Sequence, residues 1–261
     1  MPTSTREKSR PGTGQQMGVY VYGIVPGDVE LNSGVHGVGD PPGEVRLVRS
    51  GDLAALVSEV DVTKPLGTPE DLQAHVDILD ATITDAPVLP SRFGAVLTNE
   101  EAVAKELLDA NHDEFAAALQ QLEGRAEYIV RGRYVEQAIL EEILSENSRA
   151  ARLRDRIHGA DPDATRELRI QLGEIINETV ANKRQADTNL LVSAMKDHCV
   201  ASGARVATNE LDAVYVAFFV EADQVGELER VTQDLSGRWQ GRVELEIRGP
   251  MAAYDFTGTG A

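Results

Sequence analysis

The five histidines and the single cysteine are the residues of this chain best suited to metal binding or nucleophilic chemistry. No two histidines stand at the i, i+4 or His-x-His spacing of a metal-binding pair. His198 and Cys199 are adjacent in a predicted helix, where neighbouring side chains point about 100° apart, so they do not form a nucleophile and its base. His75 falls on the apolar face of a predicted helix, which favours a buried, hydrogen-bonded histidine over a metal ligand. The sequence therefore predicts no catalytic residue and no metal site.

A glycine-rich stretch, SGVHGVGD at Ser33 to Asp40, is the nearest approach to a phosphate-binding loop. Its glycines are not in G-x-G-x-x-G order, and Pro41 and Pro42 follow where a phosphate-binding helix needs its first turn. The sequence contains no Walker A, G-x-S-x-G or H-E-x-x-H motif. We therefore interpret the stretch as a loop and expect no cofactor.

Two further motifs place aromatic residues near a proline and a glycine. LPSRFG, Leu89 to Gly94, holds Arg92 and Phe93 just before a predicted helix. In one interpretation Phe93 fills the core and Arg92 pairs with an acid, and in the other Arg92 is an exposed anchor for a protein partner. GPMAAYDF, Gly249 to Phe256, follows the last predicted strand, and its two aromatic residues predict a segment that folds back and packs.

The charge and hydropathy of the chain argue against several classes of protein. Acidic side chains number 43 and basic ones 25, so the net charge is −18, which disfavours binding to nucleic acid or to an anionic membrane. The longest apolar run, Ala213 to Val220, is far shorter than the roughly 20 residues of a membrane-spanning helix. The first 17 residues lack the apolar core of a secretory signal, and a lone cysteine forms no disulfide within the chain. We expect a reduced, cytoplasmic protein.

The pattern of elements predicts an α+β protein of two domains. Residues 1–17 are predicted to be a disordered tail, and residues 257–261 a second tail. The N-terminal α+β domain, residues 18–123, begins with the alternating strand GVYVYGIV and continues with a hairpin that turns at Ser50 to Asp52. Thr68 and Asn99 are predicted to cap two helices. The inward face of the first is predicted from the spacing of Leu72, His75, Val76 and Leu79.

The C-terminal domain, residues 124–256, is predicted to be ferredoxin-like, with the element order βαββαβ. From Val135 to about Cys199 the pattern is helical and divides at His158 to Pro162, so the first crossover is an enlarged helical insertion. A weak strand is predicted at Arg205 to Thr208, and a buried strand, a helix and a last strand follow it. The apolar stripe of the second long helix is predicted to consist of Leu168, Leu172, Ile175, Thr179, Ala186, Leu190 and Ala194.

In combination these motifs resemble the gas vesicle synthesis protein family GvpL/GvpF. The similarity extends from about Val19 to Phe256, although the family more often has aromatic and proline residues where this chain has Met251, Ala252 and Ala253. It rests on VYVYGIV at Val19 to Val25, LAALVSEV at Leu53 to Val60, His75 followed by VLPSRFG at Val88 to Gly94, the strand and helix from Glu127, and GPMAAYDF.

The resemblance implies an accessory or minor structural protein of gas vesicle formation that is not an enzyme. Gas vesicles are gas-filled shells built mainly from one small, very hydrophobic shell protein. The implied partners are that shell protein and other gas vesicle accessory proteins, and the implied location is the cytoplasm and the gas vesicle. The implied fold is two α+β domains, the C-terminal one ferredoxin-like. As candidate partner-binding residues we take Tyr20, Tyr22, Arg92 and Phe93.

Two other functions are also compatible with the sequence. One is a small-ligand sensor that binds in a cleft between the two α+β halves, which a cavity lined by apolar groups and a few polar ones would favour. The other is an enzyme whose site cannot be recognised in one sequence, since ferredoxin-like domains host many functions. A deep pocket that holds charged groups with strongly shifted pKa values would favour an enzyme.

Overall fold

The computed structural model describes residues 16–31 and 34–257. The predicted tails lie outside the described residues up to residue 15 and from residue 258. Met17 already belongs to the first strand, so the predicted end of the N-terminal tail is wrong by one residue. The backbone divides into two compact units, one comprising the chain up to Thr82 with Val88–Leu119 and the other Ile83–Pro87 with the chain from Gln120 onward.

The first unit is built on an antiparallel sheet. The elements up to residue 122 are β1 (Met17–Pro26), β2 (Arg46–Ser50), β3 (Leu53–Asp61), α1 (Pro69–Ile83), β4 (Leu89–Pro90), β5 (Val96–Leu97), α2 (Glu100–Ala102) and α3 (His112–Leu122). The strand order is β2-β3-β1-β4, with β5 also beside β1. The predicted hairpin is confirmed, because β2 pairs with β3 and Gly51 in the turn has φ +60°, which glycine adopts without a Cβ clash.

Helix α1 begins as the sequence predicts. Thr68 Oγ1 accepts a hydrogen bond from the Asp71 N–H at 3.1 Å, and the Asp71 carboxylate accepts one from the Thr68 N–H at 3.1 Å. These reciprocal bonds satisfy N–H groups that a helix start otherwise leaves unpaired. His75 is buried as predicted, but Leu72 is 48% exposed, so its predicted inward position is wrong. Asp71 is buried instead, because the cap holds its side chain inward.

The second predicted helix has the expected cap but not the expected regularity. Asn99 Oδ1 accepts a hydrogen bond from the Ala102 N–H at 2.9 Å. A π-helical turn over Val103–Leu108 and a 3-10 turn over Asp109–Asn111 then separate α2 from α3. Val103 and Leu108 are buried all the same, although the helix is interrupted.

The second unit also contains an antiparallel sheet, in the order β7-β8-β6-β9. Its elements are β6 (Arg125–Tyr134), α4 (Glu136–Glu146), α5 (Ser148–Ile157), α6 (Arg166–Met195), β7 (Ala201–Ala204), β8 (Asp212–Glu221), α7 (Val225–Arg238) and β9 (Val243–Met251). Strand β7 lies directly before the weak strand predicted at Arg205 to Thr208, so that placement is wrong. Its residues are alanine, serine and glycine, which have little strand propensity, so backbone pairing with β8 and not side-chain pattern decides where it lies.

The buried stripe of α6 also differs from the prediction. Ala186, Leu190 and Ala194 are exposed, and the buried positions are Asp187, Thr188, Leu191 and Met195. Asp187 is buried because Tyr134 Oη donates a hydrogen bond to its carboxylate at 2.7 Å and Arg242 pairs with the same oxygen at 2.9 Å. A search for apolar residues does not detect a buried carboxylate whose hydrogen bonds and charge are satisfied. The predicted stripe is therefore displaced by one residue at this end of the helix.

The segment after β9 folds back and packs, as the sequence predicts. Phe256 stacks on Phe219 with ring centroids 5.4 Å apart, and Ala252 and Ala253 are buried. The Asp255 N–H donates a hydrogen bond at 2.9 Å to the carboxylate of Glu127 in β6. The segment is therefore attached to the sheet by both ring packing and a hydrogen bond.

Arg205 compensates the charge of Glu127, whose side chain is fully buried. Its guanidinium lies 2.9 Å from the Glu127 carboxylate and 2.7 Å from that of Asp255. Two carboxylates from distant parts of the chain thus share one cation, and a buried carboxylate needs such a partner to remain ionised.

Replacing Arg205 by methionine should lower the free energy of unfolding by about 3 kcal/mol, because Glu127 would then either carry an unpaired buried charge or have to take up a proton. The measurement is urea unfolding at pH 7, with Arg230→Met as the matched control. Arg230 pairs with Glu227 on the surface of α7, so its loss should cost less than about 0.5 kcal/mol. Equal losses in the two variants would contradict the role given to Arg205.

Candidate functional site

Tyr20, Tyr22, His75 and Phe93 form an aromatic cluster in the first unit. The tyrosines lie on one face of β1, where residues two apart point the same way, with ring centroids 4.8 Å apart. The His75 ring is 5.7 Å from each of them. Phe93 lies edge-on to Tyr20 at 5.9 Å and to His75 at 5.6 Å, a favourable geometry for aromatic pairs. The aromatic cluster thus joins β1, α1 and the LPSRFG motif.

Each tyrosine hydroxyl of the aromatic cluster accepts a hydrogen bond from a backbone N–H and makes a second one to a side chain. The Gly94 N–H donates to Tyr20 Oη at 3.1 Å, and a further hydrogen bond of 2.9 Å joins Tyr20 Oη to His75 Nδ1. The Val38 N–H donates to Tyr22 Oη at 2.8 Å, and a hydrogen bond of 2.7 Å joins Tyr22 Oη to Ser58 Oγ.

Burial decides the protonation of these groups. Removal from water lowers the pKa of His75 to about 4, an effect partly offset by a hydrogen bond to the Ser91 backbone. Burial likewise raises the pKa of Tyr20 and of Tyr22. At neutral pH all three are uncharged, which suits a packed interior and not a site for proton transfer to a substrate.

Backbone hydrogen bonds hold the LPSRFG motif beside β1. The Ser91 N–H donates to the Tyr22 carbonyl at 2.8 Å, and the Val21 N–H donates to the Ala95 carbonyl at 2.9 Å. The motif is therefore anchored to the sheet on both sides of Arg92 and Phe93.

Between these anchors the chain makes a tight turn. The Ala95 N–H donates to the Arg92 carbonyl at 3.2 Å, with Phe93 and Gly94 at the centre. Gly94 has φ +88°, the angle that the third position of a type II turn requires and that glycine supplies without strain. The turn places the Phe93 ring against the aromatic cluster and leaves Arg92 exposed.

The candidate partner-binding residues do not share one environment. Tyr20 and Tyr22 are fully buried, because His75 of α1 packs on both rings and Phe93 packs on Tyr20, so the expectation that they contact a partner is corrected. Arg92 is exposed and Phe93 half-buried, so this pair alone offers surface. The sequence missed Leu72, an exposed leucine one helical turn before His75, since its helical spacing is that of a core residue.

The Asp71 carboxylate has a structural role in the same unit. Although burial opposes ionisation, hydrogen bonds from the N–H groups of Gly39, Gly67 and Thr68 lower the pKa of Asp71. Its carboxylate therefore ties the loop at Gly39 to the start of α1. A cleft of about 350 Å³ opens beside it, lined by residues that include Asp40, Lys64 and Glu70.

Within residues 16–31 and 34–257, no three histidine, cysteine, aspartate or glutamate side chains are grouped so as to hold a metal ion. Over the same ranges no helix combines the length and the apolar character needed to cross a membrane.

A family model described as "Gas vesicle synthesis protein GvpL/GvpF" matches residues 18–258. The chain belongs to the GvpL/GvpF family. It is 30% identical over 261 residues to gas vesicle protein L of Streptomyces sp. (strain CB03234), a match covering 92% of each chain. It is 29% identical over 248 residues to gas vesicle protein F of the same strain, covering 92% of this chain and 99% of that protein. The resemblance seen in the sequence motifs is thus confirmed.

The fold is similar to the crystal structure of gas vesicle protein GvpF from Anabaena sp. PCC7120, with a TM-score of 0.73 and 21% identity over 92% of this chain and 98% of that one. The GvpF structure from Microcystis aeruginosa gives a TM-score of 0.71 at 19% identity, with the same coverage. The mixed α and β fold expected from the sequence is confirmed at this level. Membership of the GvpL/GvpF family supports a role in gas vesicle formation.

Replacing His75 by glutamine should make the stability of this GvpL/GvpF family member less sensitive to acid. The pKa of His75 is about 4 in the folded protein and about 6.5 in an unfolded chain. Between these values the unfolded state binds a proton that the folded state does not, so the wild type loses stability as the pH falls from 6.5 toward 4. The expected contribution between pH 7 and pH 5 is about 2 kcal/mol, measured by urea unfolding at both pH values.

His112 provides a control of opposite sign. Hydrogen bonds to Asp52 and Asp113 raise the pKa of this exposed histidine, so its contribution is present below pH 6.5 and is lost as the pH rises through the folded pKa. His112→Gln should therefore make the loss on acidification steeper, whereas His75→Gln makes it shallower. If both variants kept the pH dependence of the wild type, the buried neutral state of His75 would be disproved.

Replacing Gly94 by alanine should destabilise the protein by about 1–2 kcal/mol, because alanine is strained at φ +88°. The control is Gly226→Ala in α7, where an added Cβ meets nothing within 4 Å and φ is ordinary. That change should be neutral or stabilising by up to about 1 kcal/mol. The midpoints of thermal or urea unfolding distinguish the two, and a neutral Gly94→Ala would contradict the turn geometry.

Proposed function

We propose that this protein binds the hydrophobic shell protein of the gas vesicle and assists its assembly, without catalysing a reaction. The proposal rests on membership of the GvpL/GvpF family, with the shell protein as the partner that the sequence resemblance implies. The observation that carries it is a half-buried phenylalanine, Phe93, fixed in a tight turn beside the exposed Arg92.

The proposed contact surface consists of Arg92, Phe93 and Leu72. Phe93 is held by ring contacts to Tyr20 and His75, and Leu72 precedes His75 by one helical turn. Side chains already fixed before binding lose little conformational freedom when a partner covers them, which favours affinity. Tyr20 and His75, which are buried, then hold the half-buried Phe93 in place.

An apolar client explains why such a surface is useful. A shell subunit that has not yet assembled exposes apolar area, and large exposed apolar patches promote aggregation. A folded partner can cover that area with aromatic and leucine side chains. The net charge of −18 would keep such complexes apart by repulsion.

We also propose that the chain consists of an N-terminal α+β domain and, from about residue 124, a ferredoxin-like domain whose first crossover is enlarged by α4, α5 and α6. The strand order β7-β8-β6-β9 with antiparallel pairing supports this assignment. The proposed location is the cytoplasm and the gas vesicle, where other gas vesicle accessory proteins are further partners.

Co-purification with the shell protein tests the proposed function. Both proteins are produced together, and the complex is washed at 0.1 M and at 1 M NaCl, where the Debye length falls from about 10 Å to about 3 Å. An apolar contact should retain most of the bound shell protein at 1 M. The absence of co-purification at either salt concentration would refute the proposal.

The location of the contact is tested by a triple variant, Leu72→Ala/Arg92→Ala/Phe93→Ala, which should reduce the retained shell protein at least tenfold. The matched control removes exposed residues of similar kind elsewhere, Leu190→Ala/Val206→Ala/Arg238→Ala, and should retain it. Circular dichroism checks that both are folded. Equal retention by the two variants would place the contact elsewhere and leave the proposed function standing.

A further inference from the structure

Helix α5 concentrates positive charge on a strongly acidic protein. Its ten residues, SRAARLRDRI, hold four arginines and one aspartate, whereas the whole chain has a net charge of −18. Arg154 pairs with the neighbouring Asp155 at 2.7 Å. Arg149, Arg152 and Arg156 form no ion pair with any of the residues that the structure describes, although Arg152 donates a hydrogen bond to Ser148 Oγ at 3.3 Å.

Arg149, Arg152 and Arg156 share one flank of the helix, and we name them the arginine stripe. At 3.6 residues per turn they fall within a sector of about 60° and extend about 10 Å along the helix axis. All three are exposed. The stripe borders the buried face of α5, formed by Ala150 and Leu153, by which the helix is fixed in the second unit.

In the unbound protein the positive charges of the arginine stripe repel one another. Arg149 and Arg152 are three residues apart, and Arg152 and Arg156 four, which are the spacings at which like charges on a helix repel by a few tenths of a kcal/mol. Other guanidinium groups of the described residues lie against carboxylates, as Arg131 does against Asp212 and Arg242 against Glu142. Carboxylates from another molecule would remove the repulsion within the stripe.

We propose that the arginine stripe is a docking site for an acidic α-helical segment of a protein partner. Carboxylates at positions i, i+3 or i+4, and i+7 of a helix repeat the spacing of the stripe, and guanidinium groups bind carboxylates with two parallel hydrogen bonds. The site lies in the second unit and does not depend on the contact surface proposed for the shell protein.

The surrounding charge favours a short acidic helix over a nucleic acid or an anionic bilayer. Charges act over about 8 Å at physiological ionic strength, so a helix that ends near the stripe is held by the three arginines and is screened from distant acids. The phosphates of a nucleic acid or bilayer continue past the stripe and would face the acidic remainder of the protein.

The test uses the full chain and a synthetic helical peptide that carries glutamates at i, i+4 and i+7, with fluorescence anisotropy as the readout at 0.1 M NaCl. The expected result is saturable binding that weakens at least fivefold at 0.5 M NaCl. Arg149→Glu/Arg152→Glu/Arg156→Glu should weaken binding at least tenfold, and the milder Arg→Gln triple variant should give an intermediate loss. The matched control, Arg133→Glu/Lys196→Glu/Arg238→Glu, changes the net charge equally at exposed residues outside α5 and should bind like the wild type.

Three results would overturn the proposal. The first is no binding of the peptide by the wild type, and the second is an equal loss in the stripe variant and the control variant. The third is tighter stripe-dependent binding of a 20-nucleotide single-stranded DNA or of vesicles of anionic phospholipid than of the peptide. Circular dichroism verifies that the variants are helical. If the Glu variant does not fold, the Gln variant is compared with the wild type and the control in its place.

Discussion

The buried hydrogen bond between Tyr20 and His75 organises the first unit. A hydroxyl and an imidazole that are buried together must satisfy each other, and the Gly94 N–H donates a further hydrogen bond to Tyr20 Oη. Three parts of the chain far apart in sequence are thereby held at fixed separations: strand β1, helix α1 and the turn of the LPSRFG motif. The exposed position of Arg92 and the half-buried position of Phe93 follow from that arrangement, so the surface that we propose for the shell protein depends on a hydrogen bond that is itself buried.

In the second unit, buried polar groups are satisfied by ion pairs and not by a neutral hydrogen bond. The buried carboxylates are those of Glu127, Asp187 and Asp212, and each forms an ion pair with an arginine that is distant in sequence. Removing any one arginine would leave an uncompensated charge, whereas replacing both partners by apolar residues would cost far less. Such pairs therefore link segments that are distant in sequence. The attachment of the C-terminal segment to Glu127 through Asp255 is an example.

The sequence predicted those features that depend on local chemistry. Caps at Thr68 and Asn99, the hairpin turn at Gly51 and the alternation of β1 each arise from residues close together in the chain, and they are found where expected. The failures come from partners that are distant. Leu72 has the spacing of a core residue but lies outside the core. The buried stripe of α6 is displaced because Asp187 has partners in Tyr134 of β6 and in Arg242, the residue before β9. Tyr20 and Tyr22 were candidates for contact with a partner, although His75 and Phe93 pack on that face of β1. Of the candidate site, the motif LPSRFG was recognised and one of its two interpretations placed Phe93 in the core, but the rings of Tyr20 and His75 that Phe93 contacts could not be derived from local spacing.

The position of β6 in the middle of its sheet has a consequence for the order in which the chain folds. Its neighbours are β8 and β9, and the ion pair that joins β6 to β8 links residues 96 positions apart. At the usual speed of synthesis the ribosome needs roughly 5–20 s to produce that interval. During this time helices α4, α5 and α6 can form from local contacts, while the backbone N–H and C=O groups on both edges of β6 have no partner strand. A nascent chain of this protein is therefore itself exposed to unwanted strand pairing for several seconds, and the helical insertion that separates β6 from its neighbours sets the length of that interval.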